Sequence, residues 1–366
     1  MLLGIPTETK EKECRVALTP DVCAQLISAG FQVRLQSGAG LNSYYSDEHY
    51  TKAGVSLVVD AASIYRDSDV VLKVNAPSST EIAQMKKGAA LISFMWAGTS
   101  PELVDACVKQ GISAFSVDAI PRISRAQKMD ALSSQANLAG YKSVIMGADS
   151  LGKIFPLLMT AAGTIKPAKV VIFGAGVAGL QAIATAKRLG AIVEVTDIRP
   201  ETKEQVESLG GKFIQVKGDA SIKIEGGYVK GVSEDFLKLQ QELVSKHVAE
   251  ADLVITTALI PGKKAPLLVT EDMVKSMRLG SVIVDMAVEQ GGNCALSELN
   301  KTVVKHGVTI IGESNIPSLL PLNASDLYAK NIQTFLLHLA TKDGFKWEME
   351  EEITKGALIV HDGVKK

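Results

Sequence analysis

The chain has 366 residues, 46% of them hydrophobic and 22% charged, with a formal net charge of −1. That is a globular composition, long enough for two ordinary domains, and nothing in its near-neutral balance calls for a nucleic-acid partner or an anionic membrane surface. No apolar run approaches the roughly 20 residues of a membrane span. The start MLLGIPTETK lacks a basic region followed by an apolar core, and Cys14, Cys23, Cys107 and Cys294 show no CxxC spacing, so a reducing cytoplasm and no metal site are expected.

The first 120 residues alternate candidate strands (2–5, 31–35, 70–74, 90–95 and 113–116) with helical segments such as 21–29 and 101–110. Thr19 stands where a cap belongs, Pro20 suits the first helical position, and Gly111 ends the second helix. This alternation predicts a parallel sheet with helices on its faces. Residues 121–134, PRISRAQKMDALSS, break the rhythm. A helix expected over 136–151 carries the chain to a second domain, and 164–168, with Pro167, leads into its first strand.

That strand opens the most informative stretch, 169–199, KVVIFGAGVAGLQAIATAKRLGAIVEVTDIR. Residues 170–173 form a short apolar run suited to a buried parallel strand. Gly174, Gly176 and Gly179 follow in the G-x-G-x-x-G spacing, with Ala175 and Val177 between them. A helix reads from 179 to 189, Gly190 stops it, 192–196 is the next strand, and Asp197 stands at its end beside Ile198 and Arg199. Gly174 makes the turn, Gly176 lets a pyrophosphate approach the backbone, and Gly179 lets helix and strand pack closely. The helix N-terminus offers unpaired N–H groups and a positive dipole end to the phosphates. Asp197 is placed to accept hydrogen bonds from the adenosine ribose, which favours NAD over NADP; Arg199 is near enough to pair with a 2′-phosphate instead.

Beyond it, a helix (200–209) and a strand (212–216) precede an irregular stretch, 217–232, holding Gly218, Gly226, Gly227, Tyr228 and Gly231. Loops of that length in compact domains are functional or disordered. A helix (234–248) and strands at 253–257, 281–285 and 308–311 complete the second sheet. The helix at 327–339 and the segment 349–366 are expected to return to the first domain. The boundaries are then 1–135 with 320–366 for the first domain and 136–319 for the nucleotide domain.

The fingerprint GAGVAG, the segment RISRAQKMDALSSQANLAGY, the segment TTALIPGKKAP and the segment VDMAVEQGGNC occur together in the chain. Together they resemble the NAD(H)-binding component of proton-translocating NAD(P) transhydrogenase over nearly the whole chain. The related alanine dehydrogenases are similar in fold. The resemblance implies an α/β chain of two Rossmann-like domains, each a mostly parallel sheet flanked by helices, with a cleft between them. It implies Arg122, Gln127, Asp130 and Ser133 as the loop contacting the dihydronicotinamide and its ribose-phosphate, with Asp130 fixing Arg122 or Gln127 in place. It matches Tyr228 to a tyrosine that closes over bound nucleotide, with Gly226 and Gly227 as hinges. Ala258 and Leu259 would line the nucleotide pocket through their backbone, Pro261 and Gly262 shape that turn, and Gly292 and Asn293 either approach the nicotinamide ribose or form a turn before Cys294.

Chemistry separates the two relatives. Amino-acid dehydrogenation moves protons as well as a hydride and needs an acid/base near neutrality, usually His. At the position where alanine dehydrogenase carries that His, in the run SFMWAG, this chain has Trp96, and Glu289 replaces the catalytic Asp before QGG. His49 lies in a Ser/Asp/Glu-rich segment and reads as solvated. Arg15 and Lys73 still match the amino-acid-binding cations, read here as scaffold. Hydride exchange between two nicotinamides needs only two rings in contact with water excluded. The resemblance therefore implies a Si-specific transhydrogenase component. It binds NAD(H) itself, takes NADP(H) on a partner beta subunit, and works beside a membrane proton-channel subunit. It forms a homodimer, is peripheral at the cytoplasmic face of the inner membrane, and is inactive toward NADP without its partner. The alternatives are a soluble alanine or other amino-acid dehydrogenase and an NAD-sensing module without turnover.

Overall fold

The computed structural model describes residues 1–215, 223–225, 228–230, 234–259 and 264–366, with side chains described for all of these except 223–225, 228–230 and 234–238. The chain divides into two compact units, Met1–Gln135 with Pro317–Lys366, and Ala136–Ile316.

In the first unit, β1 (Leu2–Ile5), β2 (Gln32–Gln36), β3 (Ser56–Val58), β4 (Val70–Leu72), β5 (Ala90–Ser93) and β6 (Ser113–Ser116) lie parallel in the order β6-β5-β4-β1-β2-β3. Every residue of β4, β5 and β6 is buried, as a sheet covered on both faces requires. The helices between them are α1 (Pro20–Ser28), α2 (Asp47–Lys52), α3 (Ala61–Asp67), α4 (Ser79–Ile82) and α5 (Pro101–Gln110). Thr19 does occupy the position before α1, but its side chain makes no capping bond and its hydroxyl is buried without a partner among the described residues. In α2, Ser46 and His49 form a reciprocal cap, the Ser46 backbone N–H donating to His49 Nδ1 at 3.1 Å, so the exposed His49 has a structural task. Strand β3 and helices α2 to α4 are short, which is why periodicity alone does not separate them.

The helix expected at 136 begins earlier, as α6 (Ala131–Ser150). In the second unit comes an antiparallel hairpin, β7 (Leu158–Thr160) and β8 (Gly163–Ile165), then β9 (Lys169–Phe173), α7 (Val177–Arg188), β10 (Ile192–Thr196), α8 (Thr202–Ser208) and β11 (Lys212–Phe213). A second hairpin follows, β12 (Lys223–Glu225) and β13 (Tyr228–Lys230), pairing Glu225 with Tyr228. The stretch 217–232, expected to be irregular, therefore contains two strands, each too short to establish an alternation; its remaining residues, and the side chain of Tyr228, lie outside the described residues. The unit is completed by α9 (Glu234–Ala249), β14 (Leu253–Thr256), α10 (Glu271–Ser276), β15 (Val282–Asp285), β16 (Lys301–Lys305) and β17 (Val308–Gly312). The sheet order is β11-β10-β9-β14-β15-β17-β16, parallel except for the edge strand β16. Residues of β9 alternate between two cores: Val170 and Ile172 join Ala182, Ile183 and Ala186 of α7, while Val171 and Phe173 join Val244 and Val248 of α9.

The chain then returns to the first unit. Helix α11 (Pro321–Leu339) starts at Pro321, not 327, and buries Tyr328, Ile332, Phe335 and Leu336 in the first unit's core. After β18 (Ala340–Thr341), β19 (Gly344–Phe345) and α12 (Glu352–Ala357), strand β20 (Leu358–His361) pairs antiparallel with β6, and β21 (Val364–Lys365) with β20. Among the described residues no helix is long and apolar enough to cross a membrane.

Candidate functional site

In the second sheet the strand order reverses between β9 and β14, the place where open α/β sheets bind ligands beyond the carboxyl ends of their strands. The glycine turn lies there. Gly174 has φ +98°, a conformation that a side chain would strain. A Cβ on Gly179 would stand 1.9 Å from the Gly174 carbonyl oxygen, so this glycine is fixed by packing. A Cβ on Gly176, whose φ is −77°, would meet nothing within 4 Å. Neither packing nor backbone strain among the described residues calls for glycine at Gly176, and the open space in front of it fits a closely approaching phosphate. Gly176 occupies the cap position of α7, and no side chain caps the helix. Thr257 secures the turn from β14, its hydroxyl donating to the Phe173 carbonyl at 3.0 Å.

Asp197 ends β10. Its Oδ2 accepts the Ala175 N–H at 2.7 Å and Arg199 at 3.0 Å, and its Oδ1 accepts the Arg199 backbone N–H at 2.8 Å and Nε at 3.0 Å. Burial pushes the carboxyl up, but the Arg199 guanidinium and the two backbone N–H groups outweigh it and hold Asp197 below the usual carboxylate range. Arg199 is thus committed to Asp197 rather than held free for a 2′-phosphate. Val177, Ile198 and Leu259 stand exposed at this edge, apolar surface of the kind an adenine or nicotinamide ring covers.

Asn293 is different. It is fully buried, its Oδ1 accepts the Ala258 N–H at 3.1 Å, and its Nδ2 donates to the carbonyls of Ala258 at 2.9 Å and Pro266 at 2.7 Å. Its amide is spent inside the protein, on the backbone of Ala258 and Pro266, rather than turned out toward a ligand. Gly292 (φ +78°) supplies the turn before it. Pro261 and Gly262 lie outside the described residues.

In the first unit, residues 122–133 read differently from expectation. Asp130 does not fix Arg122 or Gln127. It caps α6, accepting the Ser133 N–H at 2.9 Å and the Ser133 hydroxyl at 2.6 Å. Arg122 and Gln127 are exposed, and neither side chain has a hydrogen-bond or ion-pair partner among the described residues. The segment itself is anchored: Asn331 of α11 donates to the Lys128 carbonyl at 2.9 Å and accepts from Ser134, and Arg125 pairs with Glu351.

Arg15 and Lys73 are both buried among acids. Arg15 lies 2.6 Å from Glu13 and donates to Gln135; burial pushes Glu13 up, yet the Arg15 bonds and charge bring it down to about 2. Lys73 sits between Glu81 at 3.1 Å and Glu8 at 3.9 Å, and burial raises Glu8. Trp96 is exposed at the end of β5 with φ +50°. Its N–H and that of Met95 donate to Asp118, and its ring stacks on Phe94 at 5.9 Å. Sequence reasoning does not single out Asp285 or Thr257. The signal for Asp285 is an acid ending a buried strand just ahead of a Gly-Gly pair.

The alanine dehydrogenase/PNT N-terminal domain matches residues 4–139 and the alanine dehydrogenase/PNT C-terminal domain matches residues 143–365. The chain is 50% identical over 372 aligned residues to the first of the parts into which the NAD(P) transhydrogenase subunit alpha of Rhodospirillum rubrum is divided, covering 99% of this chain and 97% of that one. It is 32% identical to an alanine dehydrogenase of Bacillus subtilis, over 99% and 92% of the two chains. A solved transhydrogenase structure from Sinorhizobium meliloti superposes with a TM-score of 0.92 at 44% identity, covering both chains fully.

Two outcomes follow from the geometry. Gly176→Ala keeps the fold, with a melting temperature near that of the parent, but weakens NADH binding at least about tenfold, because the new methyl fills ligand space. Gly179→Ala drives a methyl into the Gly174 carbonyl and costs stability, about 3 kcal/mol in urea unfolding. Equal effects of the two on stability would contradict this division. Asp197→Ala removes an ionised acceptor, worth roughly 1.5–3 kcal/mol, and frees Arg199. NADH affinity should fall by about tenfold or more while NADPH affinity rises relative to it, as read by calorimetry. Because the folded pKa of Asp197 is depressed, its contribution to stability is present above the ordinary carboxylate range and is lost on acidification through the folded value.

Proposed function

The chain belongs to the alanine dehydrogenase/PNT family, and from that premise we propose that it is the NAD(H)-binding component of a proton-translocating NAD(P) transhydrogenase. The observation that carries the reading is the cradle formed by Gly174, Gly176, Gly179 and Asp197: a glycine required by no described packing, an uncapped helix start and an ionised acid at the end of the next strand. Bound NAD(H) supplies the hydride at C4 of its nicotinamide ring, and NADP⁺ on a partner subunit receives it. The main-chain N–H groups at the start of α7 hold the pyrophosphate, and Asp197 accepts from the adenosine ribose hydroxyls. Arg122 and Gln127, exposed and without described partners, are available to orient a nicotinamide or its ribose-phosphate. Asp130 and Ser133 cap the start of α6, which follows that segment in the chain. Tyr228 stands as the residue that closes over the nucleotide, through the resemblance alone. Hydride exchange asks no side chain to titrate, which accords with Trp96 where an amino-acid dehydrogenase needs an acid/base. Proton translocation belongs to a membrane partner, which would place this chain peripherally at the cytoplasmic face.

A homodimer is supported by the hairpin β7–β8. Residues 157–166 are all exposed, including Leu157, Leu158, Ile165 and Met159, the last at 73%. A two-stranded hairpin without a covered face is marginal in water. Beside its base is a hollow of about 760 Å³ lined by residues such as Ala148, Leu151, Phe155 and Leu189, suited to apolar surface from a second copy.

The purified chain should bind NADH, bind NADPH weakly, and show no NADH oxidation with pyruvate and ammonia. An NADP(H)-binding partner subunit should switch on transfer to an NADP⁺ analogue, and Gln127→Ala should slow that transfer about tenfold or more with NADH affinity little changed. Steady pyruvate-dependent turnover would instead establish the amino-acid dehydrogenase. Sedimentation should give twice the 38.8 kDa chain mass, and the double variant Leu157→Asp/Met159→Asp should halve it; a dimer that survives these charges does not use the hairpin.

A further inference from the structure

We infer that Asp285 and Asn293 are positioning residues that hold the backbone just beyond β14, at Ala258, as a wall of the nucleotide site on the nicotinamide side of the glycine turn. The inference rests on the NAD(H) reading above and adds to it two residues that do not touch the nucleotide.

Asp285 ends β15 and is fully buried. Five neutral donors converge on its carboxylate. Oδ1 accepts the Thr256 hydroxyl at 3.0 Å, the Ala287 N–H at 3.0 Å and the Asn293 N–H at 3.2 Å. Oδ2 accepts the Cys294 N–H at 3.0 Å and the Ser297 hydroxyl at 2.7 Å. No cation pairs with it among the described residues. A buried charge without a counter-ion is retained only where its acceptors are fully used, and here they gather one loop around a point. Gly292 passes so close that a Cβ would lie 2.8 Å from Oδ2.

What the gathered loop carries is Asn293. Its amide pairs with both the N–H and the C=O of Ala258, as the backbone of a neighbouring strand would, and also takes the Pro266 carbonyl. The main chain adds to this, with Ala265 donating to the Gln290 carbonyl and Leu268 to that of Asn293. Ala258 in turn lies against the glycine turn: its nitrogen is 3.7 Å from where a Gly174 Cβ would be. The dinucleotide runs from the acid at the end of β10 across the turn of β9, so its nicotinamide half falls on the β14 side. Asp285 therefore acts on that half alone, through Asn293 and Ala258, and leaves the adenosine half to Asp197.

The test compares two ligands by calorimetry on the full chain: NADH, which spans both halves, and AMP, which needs only the adenosine half. Asp285→Asn turns an amide N–H₂ toward donors, and Asn293→Asp sets a carboxylate against the Ala258 and Pro266 carbonyls. Each should raise the NADH Kd at least about tenfold while the AMP Kd stays within about twofold; both also lower the unliganded melting temperature, because each leaves buried polar groups mismatched. Ser297→Ala removes one bond to Asp285 and should give the same selective pattern more weakly, about threefold; it decides the matter if the other two do not fold. Equal weakening of NADH and AMP, or no weakening of either, overturns the inference while leaving the nucleotide site standing. A parent chain that binds neither ligand overturns the site and the inference with it.

Discussion

The contact between Gly179 and the Gly174 carbonyl sets the geometry on which the second unit's ligand edge depends. With no room for even a methyl between them, α7 must begin directly over the carboxyl end of β9. That placement leaves the first turn of the helix uncapped and brings the Ala175 N–H onto Asp197, tying the ends of β9 and β10 together. Thr257 fastens the same turn from β14. One steric constraint thus fixes the relative placement of the ends of β9, β10 and β14, and the remaining polar groups secure them.

The first unit spends its charges inwardly. Arg15 with Glu13, and Lys73 with Glu8 and Glu81, form compact buried pairings whose members compensate one another. Asp118 similarly holds the strained backbone of Trp96. Arg122 and Gln127 stand exposed, away from those networks, on a segment clamped by Asn331.

The fingerprint was legible because each of its steps has a local cause: an apolar strand, three glycines with distinct tasks, a helix stopped by Gly190, and an acid at the next strand's end. The fold class followed from the alternation around it. What escaped the sequence depends on distance in the chain. Asp130 and Ser133 carry the spacing of a helix cap, yet beside arginine and glutamine they read as a site. Asn293 beside Gly292 looks like a turn or a ligand contact until Ala258, far away in sequence, is seen to take its amide. Lys73 is buried between glutamates from separate segments, Glu8 and Glu81, and Arg15 meets Gln135 from far along the chain. The hairpins at 158–165 and 223–230 have strands of three residues, below the length at which alternation can be counted.

The first unit is assembled from two stretches on either side of the second, 1–135 and 317–366, and this shapes its birth on the ribosome. Strand β6 lacks its neighbour β20 until residues 358–361 are made, and Phe115 waits for Phe335 of α11 to reach it. The second unit, by contrast, is continuous, and all of it precedes α11 and β20 in the chain. A nascent chain therefore carries a finished nucleotide unit while its N-terminal sheet still shows a bare parallel edge, a template for wrong pairing. Truncation ahead of β20 would strand the chain in that state, with its nucleotide cradle formed and its N-terminal sheet unable to close.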